Sequence, residues 1–206
     1  MIKYISSYFN GDVPKRFPQL FSGLILCGVG LALANEANLV LNPWDVFHDG
    51  FSKILDIPIG RAGVLTGLIV LIAWIPLRQK PFVGTIINIF TIGNTQDIAI
   101  YLIPSPQSLF IRHIYLYIAT MIFAIGVGLY IGAGLGPGPR DGIMTGLARL
   151  GLSIRAARIG IDFTAFFIGI LMGGSYGYGT LVMVIAVGPI VQKTLRKFDK
   201  GALYSL

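Results

Sequence analysis

Six stretches of this chain are apolar enough to lie in a bilayer, and that fact narrows the fold more than any motif. They cover about 18–39, 58–77, 81–103, 111–135, 159–175 and 178–191 of the 206 residues. A membrane helix needs about 20 such residues, with a range near 17–25. The first four runs meet that length, the fifth is at its lower limit and the sixth is shorter. The chain is therefore expected to be an all-α membrane protein, with residues 1–206 forming one membrane domain. Only 12% of residues are charged, whereas a soluble domain carries roughly 25%. Glycine occurs 27 times and proline 11 times, which suits interrupted or closely packed membrane helices. Cys27 is the only cysteine, so an intrachain disulfide and a cysteine metal cluster are both excluded. Ala32-Leu33-Ala34 has the look of a signal-peptidase site. An equivalent of that run recurs in mid-chain, where no signal peptide belongs.

The net charge of +7 would suggest nucleic acid in a soluble protein. Here the basic residues are topology signals, and no nucleic-acid partner is expected. With the N-terminus inside and six alternating spans, only Lys53, Arg61 and Arg112 fall outside. The other 13 of the 16 lysines and arginines fall inside, as the positive-inside rule requires. Both termini are then cytoplasmic, with residues 1–17 as a tail or an interfacial helix.

One short stretch is used twice. Asn42-Pro43-Trp44-Asp45 is followed by Gly50, and Gly138-Pro139-Arg140-Asp141 by Gly146. Proline suits the first helical turn, where its missing N–H would be unpaired anyway. Aspartate two residues later meets the positive end of the helix dipole. Asn42 is a good N-cap, and with Asp45 it resembles a capping box. Each copy is thus expected to start a short helix. The copies belong to a wider internal repeat. Gly28-Val29-Gly30-Leu31 matches 126–129, Arg61 and Gly63 match Arg158 and Gly160, Gly84-Thr85 matches Gly179-Thr180, and Gly93 matches Gly188. Their shared order and near-constant offset of 95–98 residues carry the argument. Repeat one covers about 18–103 and repeat two about 111–198. Three spans per half, an odd number, make the second half enter from the opposite side. Two inverted three-helix repeats, six transmembrane helices in all, are expected.

The chain resembles the bacterial YczE/YitT-type integral membrane proteins, closest to the YczE-like branch. The resemblance rests on 42–46 with Gly50, on Trp74-Ile75-Pro76-Leu77-Arg78-Gln79, on Gly84-Thr85, and above all on the stretch 130–142 from Tyr130 to Gly142. It implies a polytopic protein of the bacterial cytoplasmic (inner) membrane and says little about activity.

Candidate site residues follow from the repeat and from charges inside spans. Asp45 and Asp141 head the two short helices, and half-helices of this kind often form transporter sites. Plain capping at membrane-edge loops is the competing explanation. Asp162 lies inside the fifth span, one helical turn after Arg158. An ionisable group there is costly and often functional, although Arg158 can simply pair with it. Asn88, Asn94, Gln96 and Asp97 lie along the third span, where they either line a polar path or bond between helices. Asp97, then Asn94, are the favoured members. Asn42, Trp44, Arg140, Arg61 and Arg158 are supporting candidates, with Arg140 able to pair with Asp141. His48 and His113 lack a metal-site pattern, and no metal or cofactor is expected. Gly173-Gly174-Ser175-Tyr176 matches intramembrane serine proteases poorly, so no enzyme is expected.

The leading expectation is a transporter or permease-like protein for a small solute. The alternative is a non-transporting accessory or scaffold protein, or a solute-binding subunit of a larger importer. Expected partners are the lipid bilayer, an unidentified small solute, and a second copy or another membrane protein.

Overall fold

The computed structural model describes residues 13–39 and 42–200. Among them are eight helices: α1 (Val13–Ala37), α2 (Pro43–Leu55), α3 (Ile59–Ala73), α4 (Val83–Leu102), α5 (Leu109–Gly132), α6 (Pro139–Arg149), α7 (Ile154–Leu171) and α8 (Tyr178–Phe198). The expected short helices are α2 and α6, and each has its proline at the first helical turn. Asn42 caps α2 by accepting from the Trp44 N–H at 3.1 Å. Helices α1, α5 and α8 are long and apolar enough to cross a membrane. The expectation for residues 1–12 lies outside the described residues.

Two run lengths differ from expectation. The second run yields a helix of only 15 residues, about 22 Å at 1.5 Å per residue. Pro76 has no N–H to continue it, Arg78 turns left-handed at φ 51°, and the Gln79 N–H closes back on Trp74 O at 3.0 Å. The sixth run yields a longer helix, 21 residues. Its helical geometry continues past the apolar stretch through Lys193, Arg196 and Lys197, which are good helix formers.

Helices α1 and α5 form the centre, packed antiparallel. Gly23 lies against Gly126 and Tyr130, while Gly30 lies against Phe123. A Cβ on Gly23 would fall 2.5 Å from Tyr130 N, so glycine is what permits this approach. Helix α4 packs on α1, with Gly28 against Thr95. Helix α8 packs on α5, with Gly128 against Thr194. Each short helix docks on the other half of the chain. Gly50 of α2 meets Gly169 of α7, and Gly142 of α6 meets Trp74 at the end of α3.

The turns match as well. Left-handed residues occur at Asn38, Asp56 and Arg78, and again at Gly134, Gly151 and Gly173. The Ile57 N–H donates to Ser52 O at 3.1 Å, as Leu152 does to Leu147 O at 3.2 Å. The Gly84 N–H donates to Leu135 O at 2.7 Å, as Gly179 does to Leu39 O at 3.1 Å.

Two substitutions test this architecture by thermal unfolding in detergent. Gly23→Val should cost ~1–3 kcal/mol by forcing α1 from α5. Gly173→Ala meets no neighbour within 4 Å and should still cost ~1 kcal/mol, because its backbone is left-handed. An unchanged midpoint for Gly173→Ala would contradict the turn.

Candidate functional site

The buried face of α7 is spaced at helical intervals: Ile154, Arg158, Asp162, Ala165, Phe166 and Gly169. The helix starts at Ser153, whose side chain accepts from the Ala156 N–H at 3.1 Å. Two of its inward residues are charged, and they must be paired to be tolerated. Arg158 Nε donates to Asp162 Oδ2 at 2.6 Å. Its Nη1 bonds Asp141 Oδ1 at the start of α6. The other Asp141 oxygen accepts from the Tyr130 hydroxyl of α5, which itself accepts from the Gly138 N–H at 3.2 Å. The remaining Asp162 oxygen accepts from Trp44 Nε1 of α2 at 3.1 Å. Four helices thus meet through one guanidinium.

A second strand of the network runs through α2. The Arg140 guanidinium lies 5.2 Å from the centre of the Trp44 ring. Its Nη2 donates to His48 Nε2 at 3.4 Å, while His48 Nδ1 lies 3.6 Å from Asp45 Oδ1. Arg140 therefore does not pair with Asp141, as its sequence position suggested; Arg158 holds that place.

The loop before α6 is held from the first half. Pro137 and Pro139 have no N–H, and their carbonyls accept from Thr85 Oγ1 and Trp74 Nε1, each at 2.8 Å. Asn88 of α4 is buried, with its Nδ2 unpartnered among the described residues. It lies against Gly138, where a Cβ would fall 2.7 Å from Nδ2.

These groups surround a cavity of about 550 Å³, within the size range of small-molecule sites. Asn42, Trp44, Asp45, Arg140, Asp141 and Arg158 line it, and Asp162 lies behind Trp44 and Arg158. The other candidates are elsewhere. Asn94 and Asp97 are exposed, and Asn94 bonds its own helix at Phe90 O, 2.7 Å away. Arg61 is exposed too, unlike Arg158, its partner in the repeat. On α4 it is Asn88, Ile92 and Gln96, four residues apart, that face the cavity. Tyr130 was not singled out from sequence, His48 was weighed only as a metal ligand, and Asn88 was named on the third span but not favoured there. A polar residue at the same helical phase as apolar neighbours was the available signal.

Residues 14–196 match the family of unknown function DUF6198. The chain belongs to that family. An uncharacterized protein of Haemophilus influenzae is 32% identical over 86% of this chain and 82% of its own length. The "Uncharacterized membrane protein YczE" of Bacillus subtilis is 31% identical over 89% of this chain and 87% of its own. The YczE-like resemblance is thus borne out, and this DUF6198 member is a helical membrane protein. No solved structure matches it.

The arrangement generates two predictions. Arg158→Met strands two carboxylates and should cost ~3–5 kcal/mol. Arg61→Met should stay within ~0.5 kcal/mol; equal losses in chemical denaturation would contradict the difference in burial. The second concerns Asp49 on α2, whose carboxyl is held below the ordinary 3.8 chiefly by the Lys53 ammonium, with help from Ser175. That stabilisation is complete above the ordinary value and fades as pH falls through the lowered one. Asp49→Asn should remove this part of the acid dependence in a pH series of melting curves.

Proposed function

We propose that this protein is a small-solute transporter or permease-like protein of the inner membrane, with the cavity between the short helices as its solute site. The observation that carries the reading is the junction itself. The N-terminal ends of α2 and α6, one from each half, meet at a single cavity with Asp45, Arg140 and Asp141 on its wall. The reading includes six spans (α1, α3, α4, α5, α7 and α8) in two inverted sets of three, with both termini cytoplasmic. Support comes from the antiparallel α1 and α5, the reciprocal docking of α2 and α6, and the matched left-handed turns. Short helices meeting near the middle of such a pair are a recurrent transporter design.

A scaffold or accessory role has one observation in its favour. Asn94 and Asp97 share an exposed face of α4, and a second copy or partner subunit could satisfy them there. Flux into proteoliposomes separates the two. Under the transport reading, Arg140→Gln and Asp45→Asn lower uptake about tenfold or more, as expected for loss of a charged contact, and Asp97→Asn leaves it unchanged. Absence of flux across a broad solute panel, with a stoichiometric membrane partner co-purifying, would replace transport by the accessory role.

A further inference from the structure

The cavity wall carries one guanidinium whose hydrogen-bond donors the wall does not use up. Arg140 offers five N–H donors, yet among the described residues its one hydrogen bond is the long contact to His48 at 3.4 Å. Neither Asp45 nor Asp141 lies within ion-pair distance of it. Asn88, also on the wall, is closed off: its unpartnered Nδ2 has no open surface and packs against Gly138. An acceptor arriving with a ligand would gain charge-assisted hydrogen bonds from the Arg140 guanidinium. The nearby carboxylates are unequally available. Asp141 is paired with Arg158, which it shares with Asp162, and accepts from Tyr130, whereas among the described residues Asp45 has only the distant His48. One guanidinium beside one free carboxylate tolerates a single negative charge and disfavours a doubly charged phosphate. Leu31, Leu68, Leu71, Ile89, Ile92 and Val127 give the wall an apolar side.

We infer that the cavity binds an organic monocarboxylate, its carboxylate on Arg140 and its apolar remainder against α1, α3 and α4. This deepens the proposed transport site and rests on it for location, though binding is separable from flux. Trp44 stacks on Arg140, so its fluorescence should report occupancy.

The test is titration of the full-length protein in detergent with butyrate, hexanoate and benzoate, and with the corresponding amides. Leucine and its amide distinguish a zwitterion from a simple acid. Tryptophan emission and thermal shift are read together. The acids should bind saturably, roughly tenfold or more tighter than the amides, since a charge-assisted pair becomes a neutral one. Arg140→Gln should erase that preference. Arg140→Lys keeps the charge without the fork and should give an intermediate ratio; it serves if Arg140→Gln fails to fold. Amides binding as tightly as acids, or an acid preference that survives Arg140→Gln, would overturn the inference. Carboxylate binding with no flux would uphold it and remove transport. Flux of a cation or neutral solute without carboxylate binding would do the reverse.

Discussion

A buried guanidinium holds this protein together at its centre. Removing a charge from water costs several kcal/mol even after relaxation. Arg158 is acceptable in the core because two carboxylates approach it, Asp162 from its own helix and Asp141 from the preceding one. Those carboxylates are in turn satisfied by Tyr130 and Trp44. The chain of obligation spreads outward: pairing Asp141 fixes the start of α6, and bonding Asp162 fixes α2 on α7. The cavity is the space left where these elements converge with α3 and α4. Trp44, Asp141 and Arg158 on its wall are held by these bonds, while Arg140 is left largely uncommitted.

Much of the local structure was legible in the residues. Pro43 and Pro139 mark helix starts for a steric reason that no tertiary context overrides, and Asn42 caps as its chemistry suggests. The near-constant offset of the repeat reappears in the backbone, where Asn38, Asp56 and Arg78 take the same left-handed turns as Gly134, Gly151 and Gly173. The lengths of α3 and α8 were not legible. One is cut short by a turn around Pro76, and the other is prolonged by basic residues whose helix propensity outlasts their apolar context.

The candidate site was legible in part. Charge inside a span pointed to Asp162 and Arg158, and the repeated motif to Asp45 and Asp141. Periodicity could group Asn94 with Asp97 and Asn88 with Gln96. It could not say which group faces inward, because that depends on α4 packing against α1. The Asp141–Arg158 pair was hidden for a related reason. Seventeen residues separate its members, and the adjacent Arg140 offered a nearer partner that packing turns toward Trp44 instead.

The matched turns have a consequence of their own. The two halves share a backbone plan but not an electrostatic load: Arg158 is buried among carboxylates, while Arg61 stands exposed. Prising α6 from α7 would leave ions stranded in the core, whereas parting α2 from α3 breaks no ion pair between them. Regions with few buried commitments open first. A scaffold with two similar faces therefore has one soft side and one stiff side, and any motion it makes has a preferred direction.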